Sequence, residues 1–135
     1  MTSQPTNNLT PFESAVLAKL LEGDHPALRA LREQVRMATV KMRTFSGAGF
    51  FVQFDIPESA PDPPFGKRKL HFGDVTADVP SLKHGAGFVL FVESGRVSKL
   101  EGYSYDEPWY GEPEQFELRY LDPSRSAVIR ALEEQ

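Results

Sequence analysis

All four tyrosines of this chain (Tyr103, Tyr105, Tyr110 and Tyr120) and its single tryptophan, Trp109, fall between residues 103 and 120. Six acids are interleaved with them: Glu101, Asp106, Glu107, Glu112, Glu114 and Glu117. No Lys or Arg occurs from Leu100 to Leu118. Tyr and Trp carry a large apolar face with a polar tip, which suits them to contact surfaces. Beside carboxylates they could hold a basic protein surface, stack against a sugar, or take a cation on their ring faces. The candidate binding residues are Glu101, Tyr103, Tyr105, Asp106, Glu107, Trp109, Tyr110, Glu112 and Glu114. Pro108, Gly111 and Pro113 punctuate the stretch and place these rings on a loop. The plainer alternative is that some rings roof the sheet edge while the acids solvate the loop.

Other chemistries find less support. His71, Asp74, Asp78 and His84 could be gathered into a metal site. On one continuous strand, however, His71 would face away from both aspartates, and the spacing matches no paired-ligand pattern. No metal or cofactor is expected. Glu93 and Glu101 lie on adjacent strands of a predicted Ser94-Gly95 hairpin. Pairing Glu93 with Arg96 sets Val89 opposite Leu100 and Glu101 opposite Phe88, so the two acids are too far apart for a tight catalytic dyad. There is no Gly-x-Ser-x-Gly elbow. Both "GAGF" stretches precede strands, unlike a phosphate-binding loop. Lys67-Arg68-Lys69 is the one basic cluster, too thin for a phosphate site. An enzyme is the less favoured class.

The chain has 135 residues and no cysteine, which removes disulfides and thiolate chemistry and suits a reducing cytoplasm. Its length fits a single domain with one sizeable core. The formal net charge of −4 is a local feature, because the six acids of 101–117 leave 13 acids and 15 bases elsewhere. An acidic balance argues against nucleic acid as a partner. No apolar run approaches the ~20 residues that span a bilayer, so no membrane partner is expected. The opening "MTSQPTNNL" lacks the basic and apolar regions of a signal peptide and reads as a disordered lead over residues 1–9.

The elements that must position the candidate residues can be read from pattern. Thr10-Pro11-Phe12-Glu13 opens a helix with a capping box, with Phe12, Val16, Leu17 and Leu20 on its apolar stripe. Asp24-His25-Pro26 starts a second helix with Asp24 as its cap, facing the core through Ala27, Leu28, Leu31 and Val35. "RMATVKMRTF" and "GFFVQFDI" alternate as strands. Four prolines between Pro57 and Pro64 mark a surface loop. "LHFGDVTADV" reads as one strand, and "FVLFVE", apolar on both faces, as a central strand covered on both sides. "RVSKLEGYSY" and a short "QFELRYL" follow. Asp122-Pro123-Ser124 then caps a last helix with Ala127, Val128 and Leu132 inward. The fold class is α+β: a mostly antiparallel sheet of about five strands, with an N-terminal helix pair and a C-terminal helix, in one domain over residues 10–135.

The run "GAGFVLFVESGRVSKLEGYSYDEPW" resembles a strand–turn–strand signature of small bacterial proteins, some of which are described as immunity or antitoxin-like partners of toxins. The resemblance covers about a fifth of the chain, and no binding or catalytic residues come with it. It implies a protein-binding role. The expected function is a cytoplasmic protein-binding module with a basic partner, possessing an immunity-like role in its sharpest form. The alternative is a small-molecule binder or enzyme with a pocket between the 103–113 loop and the sheet. A third is a homodimer through the same aromatics.

Overall fold

The computed structural model describes residues 8–133. The order of elements is α1 (Pro11–Leu20), α2 (Pro26–Met37), β1 (Thr39–Phe45), β2 (Gly49–Asp55), β3 (Leu70–Phe72), β4 (Val75–Val79), β5 (Leu82–Glu93), β6 (Arg96–Ser104), β7 (Glu117–Tyr120) and α3 (Ser126–Glu133). The strands form one sheet in the order β1-β2-β6-β5-β4-β7, with β3 also paired to β5. Every strand pair is antiparallel. The fold is therefore α+β, with two helices before the sheet and one after it, and the sheet has seven strands in place of about five.

One extra strand comes from "LHFGDVTADV", which is broken at Gly73-Asp74 into β3 and β4. A Cβ on Gly73 would run into the Phe88 carbonyl, so the chain passes close over β5 there. β3 pairs with the far half of β5 and β4 with its near half. The buried Asp74 side chain leaves the ladder to receive Arg125, at 2.7 Å from Nε and 3.0 Å from Nη2. Arg125 also donates to the carbonyls of Leu20 and Glu22, tying the end of α1 to the start of α3. A buried charge is tolerable only with such complete pairing.

The helix ends follow local chemistry, with one difference. Thr10 caps α1, and both halves of its capping box are made. Glu13 of that box is buried and receives Arg43 from β1 at 2.7 Å through both of its oxygens. The cap of α2 is His25, not Asp24: its Nδ1 accepts from the Ala27 amide at 3.0 Å, while Asp24 stays exposed. In α3, Val128 and Leu132 are buried but Ala127 is exposed. Of the expected lead, residues 1–7 lie outside the described residues. Leu9 packs on the core, and the Asn8 carbonyl accepts from Arg43.

All three helices lie on one face of the sheet. Phe50, Val52, Phe54, Phe88, Leu90, Val92 and Leu100 point toward them and are buried. Their alternates, Phe51, Gln53, Val89, Phe91, Lys99, Glu101 and Tyr103, point to the opposite face and are only half-buried. β5 is central in the sheet but not doubly covered: among the described residues, no helix packs on its second face.

The hairpin between β5 and β6 sets that arrangement. Ser94 (φ 54°) and Gly95 (φ 75°) both have left-handed backbone, as a type I′ turn requires. Glu93 pairs with Arg96 and Val92 with Val97, and then a bulge intervenes, so that Leu90 meets Leu100 and Val89 meets Glu101. This is one residue from the register of an unbulged ladder. Because side chains alternate, the slip has a large effect: it keeps Leu100 inside and turns Lys99 and Glu101 outward.

Candidate functional site

The structure divides the nine candidate residues into three groups. Glu101, Tyr103 and Tyr105 belong to the open face of the sheet. Tyr103 lies across from Gly87, and its ring meets that of Tyr105 edge-on at 5.5 Å. The two rings lie down over Gly87. A Cβ there would come within 2.6 Å of the Tyr103 hydroxyl oxygen and 2.7 Å of the Tyr105 one. Glycine is what allows this close approach. Burial against the sheet pushes the Tyr103 hydroxyl above the ordinary tyrosine range, and neighbouring Tyr105 and Glu101 push it further. Gly102 makes the corresponding room on the helix face, where a Cβ would collide with the Phe50 ring.

Glu107 and Trp109 form the second group, and both are structural in position. The Glu107 carboxylate accepts from the backbone amides of Lys83 and His84, each at 2.7 Å. These bonds hold its pKa below the ordinary carboxylate value. They clamp the segment after β6 to the start of β5. Ser104 reinforces the turn by donating to the Glu107 carbonyl. Trp109 is 4% exposed. Its amide donates to the Gly47 carbonyl at 2.8 Å, and it forms an isolated parallel bridge with Ala48. Its indole packs edge-on against Phe12 and Phe50, and Nε1 is buried without a hydrogen-bond partner. The loop signal of Pro108 and Gly111 correctly marks irregular backbone, but irregular backbone here passes over the end of the core and drops one ring into it.

Asp106, Tyr110, Glu112 and Glu114 form the third group, and all four are exposed. Tyr110 is 74% exposed and lies against Gly47 of the β1–β2 connection. Asp106 holds left-handed backbone (φ 61°), which aims the chain away from β6. Glu112 lines a crevice with Phe12, Glu13, Phe45 and Phe50. Among the described residues, the salt bridges use Glu13, Asp24, Glu33, Asp62, Asp74, Asp78 and Glu133, and none uses an acid of 101–117. Asp106, Glu112, Glu114 and Glu117 therefore face solvent without an ion pair among the described residues, although Glu112 lies within the field of Arg43.

Sequence reasoning missed the residues that share the open face with Tyr103. Lys99 reaches between Phe51 and Phe91, with its Nζ 4.9 and 4.7 Å from their ring centres. His71 stacks beside Phe91 at 5.7 Å. Met42 of β1 is 54% exposed. The available signal was the two-sided apolar pattern of "FVLFVE"; the bulge that assigns Lys99 and Glu101 to this face has no such mark.

Of the histidine–aspartate set, Asp74 is taken by Arg125, Asp78 by Arg119 and His71 by Phe91. No group of three or more His, Cys, Asp or Glu among the described residues could hold a metal ion. No helix among them is long and apolar enough to cross a membrane. No family model, curated protein or solved structure matches this chain.

Proposed function

We propose that this protein is a protein-binding module, and that the exposed group of Tyr110, Asp106, Glu112 and Glu114 engages a partner with a basic surface. One observation carries the reading. This segment combines an exposed tyrosine with three neighbouring exposed acids that make no ion pair among the described residues, whereas Glu13, Asp62, Asp74 and Asp78 are each paired with an arginine from a distant part of the chain. Exposed rings supply contact energy, and unpaired charges steer the encounter. An immunity-like role in a bacterial cytoplasm, with a toxin as the basic partner, is the sharpest form. It rests on the resemblance of residues 85–109 and on a cysteine-free chain. A ligand pocket behind the tyrosines is the weaker reading, because the hydroxyls of Tyr103 and Tyr105 already fill the space over Gly87.

Affinity capture from the host lysate tests this. The immobilised wild type should retain a basic protein that elutes with salt. A variant carrying Tyr110→Ala, Glu112→Lys and Glu114→Lys should not retain it. Equal retention by both overturns the assignment to this group.

A further inference from the structure

The open face of the sheet is a second surface, distinct from the acidic end. Its centre is lined by Phe51, Val89, Phe91 and Tyr103, all half-buried, with Lys99 and Glu101 among them. β5 has the composition of a strand apolar on both faces, yet only one face is covered by described residues. A sheet buries its apolar faces against another layer, and among the described residues this face has no covering layer.

Charge identifies what fits. Lys99 and Glu101 lie on the same strand, two residues apart and on the same side, about 6.7 Å along it. Neither makes an ion pair among the described residues. Along the middle of the face the charge is zero in sum but bipolar along β6. A basic partner would meet Lys99, and a phosphate backbone would meet Glu101 where a single-strand binder needs a positive groove. A bipolar pair on one strand is complementary to itself turned end for end.

We infer that the open face docks a second copy of this chain, as a two-fold symmetric pair of sheets. The axis lies between the sheets and crosses β6 at the level of Leu100. The two β6 strands then run antiparallel over one another, and Lys99 of each copy faces Glu101 of the other. Two contacts come from one pair of residues, as an isologous interface requires. Sheets packed face to face stand about 10 Å apart. The Lys99 stem spans such a gap while Phe51 and Phe91 flank it. Glu112 lies at the end of the sheet on the helix side, near Arg43 and Phe12, so its charge stays outside the contact.

Sedimentation velocity over a concentration series tests the pairing. The wild type should sediment with twice the 15.1 kDa mass of one chain. Lys99→Glu leaves only acids in the pairs and Glu101→Lys only bases. Each alone should weaken the dimer on the order of a hundredfold, the effect of like charges set face to face. Mixing the two variants should restore a dimer, because every acid of one then meets a base of the other. The circular dichroism of each variant should match the wild type, since both side chains face outward. A wild type that stays at single-chain mass at every concentration overturns the inference, including where the face is found to hold a different protein. So does a mixture of folded variants that remains monomeric while the wild type dimerises. Should either variant misfold, the wild-type series decides by itself.

Discussion

From Phe88 to Val92 both faces of β5 are apolar, but their fates differ. Phe88, Leu90 and Val92 are fully buried under the helices, whereas Val89 and Phe91, equally apolar, are only partly buried on the other side. Burying an apolar side chain contributes about 1.5–3 kcal/mol, so the covered face holds much of the fold's stability and the open face makes that gain only in part. The same division recurs at the end of the sheet between neighbours in sequence: Trp109 is 4% exposed and Tyr110 is 74% exposed. Composition announces that a segment is apolar or aromatic; the layer above it decides whether it stabilises the fold or recognises a partner.

The strongest challenge to this division is Trp109→Ala. The indole fills the core between Phe12 and Phe50, and its removal should cost about 3–5 kcal/mol, measured by urea unfolding. A loss under ~0.5 kcal/mol would place Trp109 with the surface residues. Leu90→Ala should cost about 2–5 kcal/mol through lost contacts and a cavity. Val89→Ala on the other face should cost less than half as much in the same assay. Equal losses would mean that both faces are covered.

A test of the hairpin that sorts residues between the faces is Gly95→Val. Its left-handed backbone disfavours a β-branched side chain, and a Cβ there would run into the Gly66 carbonyl of the proline loop. The expected loss is roughly 1–3 kcal/mol. A variant melting with the wild type would show the turn to be unstrained.

The smallest effect concerns pH. The folded pKa of Glu107 lies below its ordinary value because the Lys83 and His84 amides bond its charged form. Its contribution to stability is present above pH 4.5, the ordinary value, and is lost as pH falls through the lower folded value. Titration of its side-chain carbonyl by NMR should give that lowered midpoint. Glu107→Gln should flatten the acid limb of the stability curve. An ordinary midpoint would show that the clamp is open in solution.

Much of the fold is legible in the sequence because local chemistry suffices for it. Thr10 and Glu13 spell out a capping box, Ser94-Gly95 a primed turn, and the prolines between Pro57 and Pro64 a loop. What escapes depends on distant partners. Nothing near Gly73 signals that β5 passes beneath it or that Asp74 will meet Arg125, fifty-one residues away. The bulge in β6 is equally silent, yet it alone places Lys99 and Glu101 outside. The aromatic acidic segment is visible as a composition, but not its division, because Trp109 is drawn inward by Phe12 and Phe50 from elements far apart in sequence. His25 replaces Asp24 as a cap because either side chain offers an acceptor to the first turn and the chain path chooses between them.

Tyr110→Ala separates stability from recognition at this end of the molecule. Partner retention and thermal melting should be measured on the same preparation, using the protein captured by the wild type. The variant should melt within error of the wild type and release the partner faster, as expected when an exposed aromatic anchor is removed. Unchanged dissociation from a normally folded Tyr110→Ala would contradict this separation.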